Sequence, residues 1–234
     1  MIRPVTDPDE LGSIYDEILQ PSFPPAELVN RETFVHEGSS GRLDVLGAYV
    51  ADACAGVIVG QRHGAAVLVV WLAVGSAGRG SGLGSTLIKA GVERWMALPG
   101  VAMVLAEVER PDLFEAHPEY GDPARRLAFY ARLGAGALAV PYFQPSVGPG
   151  MPRVPGLLLA TLATQNADPF PRPLDSDETD AVGEFLTSIM GEPMDGDAEM
   201  EALFGAVRDP AGVRLLPLDD YASIPLPPAS TRRR

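Results

Sequence analysis

The chain has 234 residues, 46% hydrophobic and 21% charged, which is enough apolar material for a packed core and excludes wholesale disorder. Its formal charge of −13 speaks against a nucleic acid or an anionic membrane as partner, because both attract basic surfaces. Cys54 is the single cysteine, so no internal disulfide forms and a reducing compartment, the cytoplasm, is expected. The first ten residues hold no apolar run, so no secretory leader is expected there, and no uninterrupted apolar stretch of about 18 residues suggests a membrane span.

In chain order, residues 2–5 predict a short strand. Leu11, Ile14, Ile18 and Leu19 sit at helical spacing over 9–19, which ends at the prolines of PSFPP. A second helix is predicted over 26–36. Strands follow at 43–51 and 54–61, then at 65–74, where AAVLVVWLAV is apolar enough to be buried on both faces. After a glycine-rich loop, Leu83, Leu87, Gly91 and Trp95 trace one face of a helix that stops before Pro99. Residues 101–108 predict a buried strand. Asp122-Pro123 opens a helix carrying Leu127, Tyr130 and Ala131, and a last strand closes at 156–164. Strands interleaved with helices imply an α/β layer with some parallel pairing. The stretch 166–176 is rich in Pro and Asp and reads as a linker. Helices at 177–190 and 197–208 then form an acidic extension, and the tail PLPPASTRRR is expected to be mobile.

The stretch 72–88, LAVGSAGRGSGLGSTLI, carries the most chemistry. A buried strand ends, five glycines follow, and an amphipathic helix begins. Glycines let successive amides point into one concavity, and the helix N-terminus adds unpaired donors and partial positive charge, so the turn suits a pyrophosphate. The dinucleotide pattern G-x-G-x-x-G fails in every register. The nucleoside-triphosphate pattern fails because Ser81 stands where its lysine belongs. What remains is Arg-x-x-Gly-x-Gly, filled by Arg79, Gly82 and Gly84.

Here the sequence resembles the GNAT acyltransferase superfamily. Leu72-Ala73-Val74 is similar to the end of that family's fourth strand, with Ser76 near the place of its usual loop proline. Tyr130 and Gly134 match its Tyr-x-x-x-Gly helix, and Asp122-Pro123 stands where members often carry Asn. The resemblance covers about residues 1–164 and gives a catalytic domain over 1–165, followed by the linker and acidic helical extension over 166–234. It implies a mixed, splayed central sheet flanked by helices, with acetyl-CoA as co-substrate. Arg79, Gly80, Ser81, Gly82, Gly84 and Ser85 would then hold the pyrophosphate, and Leu72 and Val74 the pantetheine arm. Tyr130 would protonate the departing thiolate, or else serve only as a packed aromatic.

The base is open. Glu107 and Glu109 alternate about Val108 and share one strand face, so either could take the amine proton, or both could be solvated strand-end carboxylates. Tyr49 and His36 are further titratable candidates. The segment 107–122 carries Glu107, Glu109, Asp112, Glu115, Glu119 and Asp122. It is either a loop favouring a cationic acceptor or a solvated acidic loop. His117 has no Cys or His at ligand spacing, so no metal is expected. Cys54, within an apolar strand, is expected to be inert. The acidic C-terminal helices could cover the acceptor cleft, pair with a second copy as a homodimer, or pack on the sheet. The expected activity is N-acetylation of a primary amine of a small cationic metabolite. The alternatives are a protein lysine or N-terminal acetyltransferase and a non-catalytic acyl-CoA-binding module.

Overall fold

The computed structural model describes residues 1–78, 80–118, 121–146 and 152–228. They form two compact units, one from 1–62 and 67–99 with Pro118, the other from 63–66, 100–117 and the described residues from 121 onward.

In the first unit β1 (Ile2–Val5), β2 (Leu43–Val50), β3 (Ala53–His63) and β4 (Ala66–Val74) lie side by side in that order, with β1–β2 and β2–β3 antiparallel. On one face sit α1 (Pro8–Ile14), which runs on into a π-helical turn at Tyr15–Leu19, and α2 (Arg31–Ser39). They bury Leu11, Ile14, Leu19 and Phe34 against Val45, Val57, Val59 and Trp71. The other face takes α3 (Leu83–Met96), which buries Leu87, Gly91 and Trp95. A Cβ added at Gly60 of β3 would lie 2.5 Å from the Trp95 ring, so only bare backbone admits the indole so close. The ring nitrogen donates to Asp44 at 2.9 Å.

The helix expected over 26–36 starts later than its spacing suggests. Only a 3-10 turn forms at Pro25–Glu27, and α2 begins after Asn30, whose side chain accepts from the Thr33 amide at 2.8 Å. The intervening carbonyls are engaged elsewhere: Val29 accepts from the Tyr15 hydroxyl at 2.8 Å and Glu27 from the Trp71 indole at 3.0 Å.

The second unit contains β5 (Met103–Glu109), α4 (Pro123–Arg132), β6 (Gly136–Leu138), β7 (Phe143–Gln144), β8 (Val154–Pro155), β9 (Leu157–Thr164), β10 (Arg172–Pro173), α5 (Ser176–Met190), α6 (Ala198–Val207) and β11 (Arg214–Pro217). Its sheet runs β5-β9-β6-β11-β10, antiparallel at each step, while β7 and β8 pair as a separate ribbon. Where the alternation of strand and helix suggests parallel neighbours, β9 is inserted antiparallel between β5 and β6.

The Pro/Asp-rich stretch is tightly held. Both terminal nitrogens of Arg172 donate to Glu178 at 2.6 Å, and the two side chains are 7% and 2% exposed. Arg172 also meets the Thr164 hydroxyl and the carbonyls of Asn166 and Asp168. Glu178 completes a capping box with Asp175 at the start of α5. Burial pushes Glu178 up, but the Arg172 and Asp175 hydrogen bonds bring it below its usual value. The last residues of the tail, 229–234, lie outside the described residues.

Candidate functional site

Two groups of predicted site residues lie in different units. In the first unit, β4 ends at Val74, and Leu72 and Val74 are half-buried on one face of the strand. Gly75 donates to the Ala55 carbonyl at 2.9 Å and a 3-10 turn follows at Ser76–Gly78. Ser81 closes the turn, its hydroxyl donating to the Gly78 carbonyl at 2.6 Å. Gly80 and Gly82 have φ of 77° and 81°, and no atom lies within 4 Å of where a Cβ would project from either. Gly82 is the N-cap of α3 and offers no side-chain cap. The first helical bond runs from the Thr86 amide to the Gly82 carbonyl at 3.1 Å. The amides of Leu83, Gly84 and Ser85 precede it, in the first turn where a helix leaves donors free of intrahelical partners, and no side chain among the described residues caps them. With open space beside Gly80 and Gly82 and the helix dipole behind these amides, this helix start can hold an anion. Arg79, the predicted charged contact, lies outside the described residues.

In the second unit Tyr130 sits on α4, where Asp122 accepts from the Ala124 amide at 2.8 Å and Pro123 takes the first position. Gly134, at φ 83°, ends the helix. Tyr130 is 7% exposed, its ring 5.2 Å from that of Phe129. Burial pushes its phenol up to about 12, with Arg126 opposing, so it carries its proton at neutral pH.

The two β5 carboxylates have separate fates. Glu107 is not a solvated strand-end group. It is half-buried, its Oε1 accepts from the Tyr142 hydroxyl at 2.6 Å, and its Oε2 accepts from the Gln144 amide at 2.7 Å. Burial pushes its carboxyl above the usual range and the two hydrogen bonds oppose this. Glu109 pairs with Arg126 of α4 at 3.0 Å, with both side chains partly exposed. Tyr142 and Gln144 are absent from the sequence prediction. The only trace they leave is two polar-tipped residues flanking Phe143 at strand alternation.

The remaining candidates are otherwise engaged or bare. The Tyr49 hydroxyl donates to Glu10, which also pairs with Arg3, whose guanidinium lies 4.3 Å over the Tyr49 ring, so Tyr49 belongs to a clasp on β1. His36 is exposed on the last turn of α2. Cys54 is half-buried, donates to the Gly56 carbonyl at 3.4 Å, and burial pushes its thiol up. In the acidic segment, Asp112 is paired with Arg110 at 2.9 Å and Asp122 caps α4. Among the described residues the Glu115 carboxylate has no such partner, and Glu119 lies outside them. No group of three or more His, Cys, Asp or Glu among the described residues could hold a metal ion, and no helix among them is long and apolar enough to cross a membrane.

No family model and no curated protein matches the sequence. Solved structures do match. A structure from Bacteroides thetaiotaomicron, assigned to the GNAT acetyltransferase family, aligns over 82% of this chain and 99% of its own at 22% identity and a TM-score of 0.60. The yncA protein of Salmonella typhimurium, assigned as an acetyltransferase and solved with its cofactor acetyl-CoA, aligns over 73% of this chain and 98% of its own at 16% identity and a TM-score of 0.50. These likenesses give the chain the GNAT fold.

Proposed function

We propose that this chain is an acetyl-CoA-dependent N-acetyltransferase that moves an acetyl group to a primary amine of a small cationic metabolite. The observation that carries the proposal is the Gly80–Ser85 turn, where two open left-handed glycines lead into an uncapped helix start. The fold, shared with a structure solved with acetyl-CoA, supports the same reading. The amides of Leu83, Gly84 and Ser85 would bind the pyrophosphate, with Gly80, Ser81 and Arg79 completing the rim and Leu72 and Val74 lining the pantetheine arm.

Acetyl transfer needs a base for the amine, a donor for the developing oxyanion and an acid for the leaving thiolate. Glu107 takes the amine proton as the nitrogen attacks the thioester carbonyl. An amide near Val74 donates to the carbonyl oxygen. When the carbon–sulfur bond breaks, the thiolate takes the proton of Tyr130, whose buried phenol is protonated at neutral pH. Glu109, already neutralised by Arg126, is the poorer base. The preference for a cationic amine draws on the charge of −13 and on the acidic segment, where Arg110 and Arg126 offset Asp112 and Glu109 but leave Glu107 and Glu115.

Calorimetry with acetyl-CoA, followed by a thiol-release screen across cationic and neutral amines, tests both parts. Heat of binding with release on cationic amines is expected. An absence of heat with any coenzyme A species removes the proposal, and equal rates on neutral and cationic amines remove the substrate class.

A further inference from the structure

Glu107 lies in the middle of a built arrangement that an ordinary strand-end carboxylate does not need. Its two oxygens are each taken by a different donor, Tyr142 at 2.6 Å and Gln144 at 2.7 Å, from a segment 35 and 37 residues further along the chain. Tyr142 is 1% exposed, so its ring is fixed by packing. Between the two donors Phe143 is fully buried, with the Arg153 guanidinium 4.7 Å from its ring centre. Arg153 is tied to Asp197, the N-cap of α6, at 2.6 Å and to Glu199 at 3.0 Å. The segment that presents the donors is thus anchored from α6, and its side chains have little freedom to follow a wandering carboxylate.

We propose that Tyr142 and Gln144 are positioning residues for the transfer reaction, each clamping one oxygen of Glu107 so that the remaining lone pairs face the incoming amine. The catalytic meaning of the clamp rests on the acetyltransferase reading above, but the clamp itself is measurable without turnover. A carboxylate has about four acceptor sites, so two donors leave room for a proton from the amine. Burial pushes the carboxyl upward, and two donors aimed at the charged form oppose that. Along β5 and β9, the described neighbours of Glu107 bring no unmatched charge. Its register partner on β9 is Leu159, Leu105 precedes it on its own face of β5, and the next residue on that face, Glu109, is matched by Arg126 of α4.

The test uses the full chain and the variants Tyr142→Phe, which keeps the buried ring, and Gln144→Met. Two readouts are taken: the pH profile of kcat/KM for thiol release, and the titration of Glu107 followed by isotope-edited infrared spectroscopy, with Glu107→Gln as the blank. Loss of one charge-assisted hydrogen bond should move the carboxyl titration and the acid limb of the profile upward together by about 1–2 pH units, with KM for acetyl-CoA unchanged. A titration that stays in place in both variants overturns the clamp. A titration that moves while the acid limb does not overturns the positioning role. If the parent chain releases no thiol with any amine, the acetyltransferase reading fails and the positioning role falls with it, while the infrared titration still decides whether the clamp exists.

Discussion

The glycine turn before α3 and the carboxylate cluster on β5 are built from opposite materials. The turn offers main-chain amides and empty space: Gly80 and Gly82 contribute conformation and room, and α3 contributes the amides of its first turn. On β5, side chains from distant parts of the chain converge, with Tyr142, Gln144 and Arg126 meeting Glu107 and Glu109. The wider units follow the same division. The first packs apolar helices on both faces of its strands, close enough at Gly60 that the Trp95 ring rests on backbone. The second is knit by arginines: Arg110 to Asp112 and the Ile224 carbonyl, Arg153 to α6, Arg172 to Glu178. A site made of backbone is damaged by adding atoms, and a site made of side chains by removing them.

Four measurements would break or sharpen that contrast. The largest effect belongs to the side-chain cluster. Glu107→Gln keeps an acceptor for Tyr142 but no base, and kcat should fall by about 10²–10⁴-fold with the Kd for acetyl-CoA unchanged. A loss below about tenfold would assign the proton to another group. Next is Arg172→Met, which strands Glu178 as a buried, unpaired charge. Chemical denaturation should show a loss of about 3–5 kcal/mol, and a loss below about 1 kcal/mol would mean the pair adds little to this unit.

The third measurement addresses the turn. Gly82→Val places a branched side chain at φ 81° and into open space, and calorimetry should show acetyl-CoA binding weakened by about 10–100-fold. Ser85→Ala, which deletes a side chain but no amide, should cost far less. If the two variants weaken binding equally, the turn is not a main-chain site. The smallest effect involves His63, at the end of β3. Its Nδ1 lies 2.8 Å from the Ser188 hydroxyl of α5, its ring meets Phe185 edge-on, and Nε2 is buried without a hydrogen-bond partner among the described residues. Burial holds its pKa below the usual 6.5. The stability of this contact is therefore complete above the unfolded value and is lost as the pH falls from there toward the lower folded one. Protection of the α5 amides, with the intrinsic pH dependence of exchange divided out, should fall several-fold over that interval, and His63→Phe should flatten the dependence. Protection that does not change with pH would show that α5 is held by other contacts.

The same contrast explains what could be read from the sequence. The turn was legible because its parts are contiguous: a buried strand, glycines and a helix start occupy residues 72–88. The α4 cap was legible for the same reason, since Asp122 and Pro123 act on amides within one turn. The acidic helices of α5 and α6 followed from their spacing and fell within a residue or two of their observed bounds. The state of Glu107 was not legible, because its donors lie 35 and 37 residues away and alternation shows only which face a side chain takes, not what meets it there. The start of α2 was missed because hydrogen bonds from Tyr15 and Trp71 occupy carbonyls that the helical pattern would have used. The short strands β6, β10 and β11 have too few residues to show a period.

The indole that rests on Gly60 has an experimental consequence. The chain has two tryptophans, Trp71 on β4 and Trp95 on α3, and both belong to the first unit. Selective indole excitation therefore reports the melting of that unit alone, whereas far-ultraviolet ellipticity sums both. Overlaying the two curves would show whether the halves of the chain lose their structure in one cooperative event or in succession.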